Sequence, residues 1–488
     1  MKNKLIGMTM LLLLIVACQE KDNVNIKPVA AFKVGATTIE VGQSVYFTDL
    51  SFDEDGTIIK WQWDFGNSTS SEEASPSVTY NDAGEFKVML TVWDNNNEQN
   101  VNTFDKTIIV KEKSLSNEKP DILWEFQTPC GFQDVSPAVD DNGNVIVGCD
   151  ANAGRGGKSI WVIKDGEEVW YNQYDEVVRS SPAIADDGTA YIGGYRKKTD
   201  TKNLLAFSFN SSTPTGTFDL KAHAKYSSPA IDKDGTVYFS TNKKLYAINP
   251  APTMTEKWNV DCGGDTQSTP VIGADAVYVC SNSGKLYAFD KNTGTQKWAI
   301  DYGKSCSSVP AIGDDGTIYI CGETNDGGVI MAANKDGSVK WQTVSISAFS
   351  NSGISLSTEG HLYVGNSDGE MLCCSQQDGT IIWKFAAQGK IRSVPAVDNN
   401  GNIYFGDGQG IFYVLNPNGK PVYKEIKLGT NIWSSPAIDK KGIIYVCADI
   451  TKSSEPGKVF ALRTNATGAQ QTWSMRSGNA KRNARWDK

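Results

Sequence analysis

The chain has 488 residues, with 47 Lys plus Arg against 56 Asp plus Glu and a formal net charge of −9. No basic cluster breaks that acidic balance, which argues against nucleic acid as a partner. A hydrophobic content of 40% with 46 glycines suits a turn-rich, all-β protein with room for one small and one large domain.

Residues 1–17 open with Lys2 and Lys4 and continue into an apolar run over 8–17 that stops at Cys18. The run is too short for a spanning helix and has the layout of a secretory signal. Its end, Leu14-Ile15-Val16-Ala17-Cys18, resembles a lipobox. The resemblance implies cleavage before Cys18 and lipid attachment to it, so membrane association is expected through that lipid. Residues 18–26 form a tether, in which Gln19-Glu20-Lys21-Asp22-Asn23 resembles the acidic stretch that sends some Gram-negative lipoproteins to the outer face of the outer membrane. A surface-exposed outer-membrane lipoprotein of the cell envelope is the implied location.

Residues 27–112 contain no cysteine and read as short alternating strands and turns. Trp61-Gln62-Trp63-Asp64-Phe65-Gly66, the segment 76–80 followed by Gly84-Glu85-Phe86, and the closing strand 88–92 resemble a PKD (polycystic kidney disease) domain. That family implies an immunoglobulin-like β-sandwich. The turn after Phe65 reads Gly66-Asn67-Ser68 where the family usually has Gly-Asp-Gly, so a different turn is expected. Trp63 shares the face pattern of the core, which places at least one of Trp61 and Trp63 inside. Asp53 and Asp55 correspond to acids that hold calcium in some relatives, but read here as a solvated turn. Residues 113–121, mostly polar, form a linker.

From 122 to 488 one pattern recurs eight times. SSPAIADDGTAYIGG at 180–194 returns from Ser227, Ser268, Ser307, Arg392 and Ser434, with a first copy from Val135 and a worn copy from Asn351. Each copy leads on to an aromatic residue: Trp170, Phe218, Trp258, Trp298, Trp341, Trp383, Tyr423 and Trp473. A unit reads as four short strands. Dipeptides such as Asp187-Gly188 and Asp378-Gly379 mark its two hairpins, because they tolerate the positive φ of a tight turn. A period of roughly 44 residues lies in the range of propellers and solenoids, and four-stranded antiparallel sheets repeated radially make a β-propeller. The repeat resembles the pyrroloquinoline-quinone (PQQ) type, which implies an eight-bladed ring.

Trp124 precedes the first unit, leaving nine Trp-type strands for eight places. Either residues 122–126 complete the last blade or the tail from Trp473 lies over it, and both bring the chain ends together. The stretch from Thr472, TWSMRSGNAKRNARW, resembles the Trp-x-Met-Arg-x-Gly-Asn segment that accompanies this repeat family. A packing role is expected, with Arg476, Lys481, Arg482 and Arg485 as a candidate ionic clamp.

Ten cysteines include Cys18, and the nine left in the mature chain cannot all pair. Cys280, Cys321 and Cys447 end the second strand of their units, with Cys149 one residue later, and read as small buried hydrophobes held apart by the blade spacing. Cys130, Cys262 and Cys306 precede inner strands and are the candidates for a pair. Cys373-Cys374 resembles the adjacent-cysteine disulfide of quinoprotein dehydrogenases. Aligning 370–374 with 284–288 nevertheless puts it in a third strand, with Cys374 in place of a packed alanine. No insertion bearing calcium-binding carboxylates is found, so no quinone cofactor is expected. His223 and His361 lie in different units without metal-ligand spacing, and no Gly-x-Ser-x-Gly elbow is present. Cys18 is the one site residue assigned; no catalytic, cofactor-binding or metal-binding residue is.

Binding is the expected activity, because loops on a rigid scaffold carry recognition. Expansions at 150–159, 195–203, 323–328 and 450–457 fall between second and third strands, hence on one face, where Arg155, Arg196, Lys197 and Lys198 make a basic rim. The expected partner is a glycan or an envelope protein, with the PKD domain as spacer and no enzymatic activity. The alternatives are a protein-assembly scaffold of the outer membrane, since the repeat family includes a barrel-assembly lipoprotein, or a quinoprotein or carbohydrate-active enzyme.

Overall fold

The computed structural model describes residues 25–486 apart from 97, 104–106, 112–118, 151–157, 175–176, 195–202, 223–225, 267, 305–307, 350–351 and 452–455. Cys18 with the signal, Cys306, His223, Arg155, Arg196, Lys197 and Lys198 lie outside the described residues. Regular secondary structure among the described residues is all β, and no helix there is long and apolar enough to cross a membrane. The chain divides into two compact units, Met1–Ser114 and Leu115–Lys488.

The first unit holds three small sheets. Phe32–Val34, Ser44–Asp49 and Ser77–Thr79 form one; Ser70–Ser71, Ile58–Asp64, Met89–Asp94 and Gln99–Thr103 form the second; Thr38–Glu40, Ile108–Lys111 and Gly84–Phe86 form the third. Along Ser44–Asp49 the side chains of Val45 and Phe47 are buried while Ser44, Tyr46 and Thr48 are exposed, the period of two that sends alternate residues inward. Trp63 is fully buried beside Phe47 and Phe65, with ring centroids 5.4 and 6.3 Å away. Its indole N–H donates to the Glu73 carbonyl at 2.9 Å, so the buried ring leaves no polar atom unsatisfied. Trp61 is half-buried and donates to Asp49 Oδ2 at 2.8 Å. One tryptophan is therefore inside, in keeping with the face pattern.

The turn after Phe65 takes positive φ at Gly66 (75°) and at Ser68 (66°). A Cβ on Gly66 would sit 2.6 Å from the Lys87 carbonyl oxygen, so glycine is required at 66 while Ser68 tolerates the strain. Asp55 accepts the Ile26 N–H and Asp53 accepts the Asp55 N–H. Among the described residues no group of three or more His, Cys, Asp or Glu side chains is placed to hold a metal ion.

Among its described residues the second unit shows eight four-stranded sheets. In the first, Ala138–Val139, Val145–Gly148, Ile160–Lys164 and Glu167–Asn172 pair antiparallel in chain order. The first strands of sheets one to eight are Ala138–Val139, Ala183–Ile184, Ala230–Ile231, Val271–Ile272, Ala311–Ile312, Ser355–Leu356, Ala396–Val397 and Ala437–Ile438. All are buried, as compact apolar strands covered on both faces must be. The eighth sheet borrows its outer strand from the start of the unit: Asp121–Thr128 lies antiparallel to Gly457–Arg463. Of the two places for the spare aromatic strand, Trp124 takes the sheet and Trp473 the tail.

Two hydroxyls explain why the repeat begins Ser-Ser-Pro. The first binds its own sheet: Ser180, Ser227 and Ser434 accept the N–H groups of Gly193, Ser240 and Cys447 at 3.2, 3.3 and 3.2 Å. The second binds the neighbouring sheet. The N–H of Ser136 donates to Ser181 Oγ, that of Ser181 to Ser228, that of Ser228 to Thr269 and that of Val394 to Ser435, at 2.9 to 3.2 Å. The N–H of Ser435 donates to Ser136 Oγ at 2.8 Å, joining the last sheet to the first. Each bond satisfies a buried N–H that would otherwise cost about 1–3 kcal/mol. In sheets five, six and seven the position is Val309, Gly353 and Val394, and the first two form a parallel bridge instead.

The outer-strand aromatic residue docks on the following sheet. Trp170, Trp258, Trp298, Trp341 and Trp383 donate their indole N–H to the carbonyls of Phe209, Lys291, Lys335, Gln376 and Pro417 at 2.8 to 3.2 Å. The turn glycine lies against the ring: at Gly379, with φ 75°, a Cβ would fall 2.6 Å from Trp341. Trp124 rests on Gly166 of the first sheet in the same way. Trp341→Ala is expected to cost about 3 kcal/mol, the lower end for a large aromatic because the ring is only half-buried, read as a lowered urea midpoint for the second unit.

Cys130 and Cys149 form a disulfide, with Cα atoms 5.8 Å apart. This corrects two expectations: Cys149 is not an isolated small hydrophobe, and the partner of Cys130 is neither Cys262 nor Cys306. The hairpin of Ala138–Val139 and Val145–Gly148 returns the chain to the end where it began, and the Asp150 N–H donates to the Gly131 carbonyl at 2.9 Å. Cys280, Cys321 and Cys447 are buried, as expected. Cys373 and Cys374 lie in the third strand Glu370–Ser375 and point into different core clusters, Cys373 toward Tyr363 and Ile403. Burial pushes both thiols up to about 12. They are protonated at pH 8, and iodoacetamide should alkylate them only after unfolding, which peptide mass spectrometry will read; alkylation of the native protein within minutes would contradict this burial.

Candidate functional site

Residues 470–486 run through the space that the first strands surround. The N–H groups of Leu356, Val397, Val139, Ile184, Ile231 and Ile272 donate to the carbonyls of Trp473, Ser474, Ala480, Lys481, Asn483 and Ala484 at 2.8 to 2.9 Å. Six of the eight first strands are thereby paired on their free edge, which would otherwise present unsatisfied donors. Trp473, Met475 and Ala484 join the core. The tail thus packs, as its resemblance implied.

Among the described residues, two of the four tail cations form the ion pairs of a clamp. Lys481 pairs with Asp141 at 2.6 Å and Arg485 with Asp186 at 3.0 Å. A hydrogen bond from Lys481 holds the Asp141 carboxyl below its ordinary range. Arg482 instead bonds carbonyls: Nε to Pro137 at 2.6 Å, Nη2 to Ser435 at 2.8 Å and Pro436 at 3.3 Å, and Nη1 to Arg476 at 3.2 Å. A planar guanidinium with five donors suits such a carbonyl cluster. Arg476 is 8% exposed, and its buried Nε has no hydrogen-bond partner among the described residues. Burial lowers the pKa of Arg476 to about 10, against the pull of Asp134; burial and then the charge of Arg476 lower that of Arg482 to about 9. Both remain cations at pH 7.

At the tail end lies a depression of about 660 Å³ lined by Asp141, Asp186, Asp439, Lys481, Arg485 and Trp486, among the hairpins that join first to second strands. At the other end stand the residues just before Ser-Ser-Pro. Arg392, Trp433, Asp134, Arg179 and Tyr226, from sheets seven, eight, one, two and three, make a continuous half-buried arc. Arg392 lies 4.3 Å from the Trp433 ring centroid and 4.0 Å from Asp134 Oδ1. Arg179 donates to Asp150 Oδ2 at 2.8 Å and to the Tyr226 hydroxyl at 3.4 Å. The equivalent residues of sheets four to six, Gln267, Ser307 and Asn351, lie outside the described residues.

This arc shares its end with the connections from second to third strands. The N–H groups of Lys304 and Thr430 donate to the carbonyls of Glu323 and Asp449 at 2.7 Å, which sets entries to first strands beside exits from second strands. Of the four expansions, 323–328 is the one described throughout, a hairpin between Ile318–Thr324 and Gly327–Ala333. The loop lengths pointed to this face, but the arc was missed. Its signal is the column before Ser-Ser-Pro, which varies from copy to copy while the residues after it repeat. His361 is half-buried and edge-on to Tyr363, with centroids 6.3 Å apart, a packing role.

A family model for the PKD domain matches residues 25–109, and one described as outer membrane protein assembly factor BamB matches residues 206–356 and 325–484, together more than half of the chain. The pre-pro-metalloprotease PrtV of Vibrio cholerae is 41% identical over 86 residues, 18% of this chain and 9% of that protein. Collagenase ColA of Clostridium perfringens is 26% identical over 236 residues, 43% of this chain and 20% of that protein. The chain thus spans a fifth or less of these relatives. Among solved structures, BamB from Moraxella catarrhalis aligns with a TM-score of 0.55 at 15% identity, covering 70% of this chain and 100% of that one. The computationally designed Ika8 protein aligns with a TM-score of 0.56 at 12% identity, covering 70% and 99%. At such identities the likeness is one of fold. The chain belongs to the PQQ-type repeat family described as outer membrane protein assembly factor BamB, with a PKD domain ahead of its β-propeller.

Proposed function

We propose that the chain is a non-enzymatic binding protein of the bacterial cell envelope, anchored by lipid on Cys18 and exposed at the outer-membrane surface. A closed eight-bladed propeller captures a glycan or an envelope protein, and the PKD domain is its spacer. The observation that carries the reading is the arc of Arg392, Trp433, Asp134, Arg179 and Tyr226 on a frame of cross-bonded, buried strands. Trp, Tyr and Arg supply most binding energy at interfaces, and rigid scaffolds present variable positions for recognition. Closure of the ring is supported by Asp121–Thr128 in the eighth sheet, by the bond from Ser435 to Ser136 and by Trp124 on Gly166. A protein-assembly role at the outer membrane is the second reading, favoured by the family match over 206–484.

The soluble protein from Asp22 onward, without its anchor, should be applied to a panel of polysaccharides, with residues 22–114 alone as control. Saturable binding that needs the propeller supports glycan capture, whereas no binding directs the search to protein partners by cross-linking in the envelope. Redox turnover on adding PQQ and calcium, or release of reducing ends from a polysaccharide, would overturn the non-enzymatic reading. Incorporation of labelled palmitate that disappears in Cys18→Ala tests the anchor.

A further inference from the structure

We propose that the centre of the propeller is an anion-binding site, in which Arg476 of the tail takes a carboxylate that enters through the mouth framed by Arg179 and Arg392. Arg476 is more than nine-tenths buried, its Nε has no hydrogen-bond partner, and it forms no ion pair among the described residues. Beside it, Arg482 is fully buried and spends its donors on backbone carbonyls, one of them that of Arg476 itself. Carbonyl dipoles carry no net charge, so two adjacent cations lie buried together, and the carboxylate that acts on Arg476, Asp134, is also shared with Arg392 at 4.0 Å. Leaving a buried charge unpaired is strongly destabilising, and an apolar side chain would serve packing better. An arginine in this position is matched by an incoming anion, and its planar fork fits a carboxylate through two parallel N–H···O bonds.

At the tail end the carbonyls of 473–484 are bonded to the first strands, and Asp134 of the arc, whose charge acts on Arg476, sets the arc as the entrance for the ligand group. There Arg392 is stacked on Trp433 and Arg179 bonds Tyr226, which orients two further guanidinium groups at the entrance. Ser477 Oγ, on the next residue of the tail, is likewise buried without a hydrogen-bond partner among the described residues. The chemistry recognised is a single carboxylate, whether of a sugar acid or of an acidic amino acid. This site goes beyond the proposed function, which stands or falls separately on the polysaccharide panel and cross-linking.

The test is calorimetric titration of the soluble protein from Asp22 onward at low ionic strength with D-glucuronate, with N-acetyl-L-aspartate, and with N-acetylglucosamine as neutral control. The expected result is saturable binding of one or both carboxylates, none of the neutral sugar, and affinity weakened at least about tenfold in Arg476→Met, as loss of a charge-assisted hydrogen bond demands. The carboxylate that binds identifies its source. Arg476→Met should melt no lower than the parent protein, since it removes a buried charge. If it fails to fold, Arg179→Gln combined with Arg392→Gln, at the half-buried entrance, should weaken binding in the same direction. Binding by neither carboxylate, or undiminished binding in a folded Arg476→Met or in the entrance variant, overturns the proposal.

Discussion

A chain that ends at Ala469 should lose the cooperative unfolding transition of the propeller. Removing the tail strips partners from the N–H groups of Val139, Ile184, Ile231, Ile272, Leu356 and Val397, all on buried strands, and each orphaned donor costs about 1–3 kcal/mol. It also empties the space held by Trp473, 4% exposed, and Met475, 1% exposed. Trp473→Ala alone should cost about 3–5 kcal/mol through lost transfer energy and the cavity left behind. Together these come to about 9–23 kcal/mol, as large as the roughly 5–15 kcal/mol that separates a folded domain from its unfolded chain. Near-ultraviolet circular dichroism and urea unfolding check both variants. A truncated chain that keeps the parent midpoint would mean the tail is an ornament.

Beginning the chain at Pro129 should have a comparable effect by a different route. Without Asp121–Thr128, Gly457–Arg463 becomes an exposed sheet edge, a template for pairing with another chain. The seam also loses Trp124 over Gly166 and Phe126, whose ring lies 5.4 Å from Trp161 of the first sheet. Aggregation is expected in sedimentation velocity, and a peptide of residues 119–130 supplied during refolding should suppress it by refilling the edge. A monodisperse protein of unchanged midpoint, with no effect of the peptide, would show that the borrowed strand adds nothing.

Which parts of this arrangement were legible in the sequence follows from how local their causes are. The four-strand unit and its hairpins were legible because Asp-Gly and Asn-Gly turns and β-branched runs act within a few residues. The seam was not, since Trp124 and Trp473 both satisfy the aromatic position. What decides it is backbone conformation: the tail carries positive φ at Ser477, Arg482 and Ala484, which no regular strand allows, while 121–128 alternates as an edge strand can. The Cys130–Cys149 disulfide was hidden by comparing equivalent positions across units, which directs attention away from a partner within the same unit. Arg482 read as a clamp for acids because a sequence displays charges and not the carbonyls that converge on them. The arc of the candidate site stands one residue ahead of the repeated motif, where the residue changes from copy to copy, and variation on a fixed frame is what a binding surface looks like.

Hydrogen exchange tests most directly whether the two chain ends lock the sheets into one closed ring, leaving recognition to the mouth opposite the tail. In the soluble protein the amides of Val139, Ile184, Ile231, Ile272, Leu356 and Val397, which donate to the tail, and those of Asp121–Thr128 bonded to Gly457–Arg463 should exchange as slowly as amides in third strands such as Lys285–Asp290. Uniform protection means that these amides open only when the whole propeller unfolds. Fast exchange at the tail-facing amides and the borrowed strand, with the third strands still protected, would mean that the ends fray from an open array of sheets, and would contradict the closed ring.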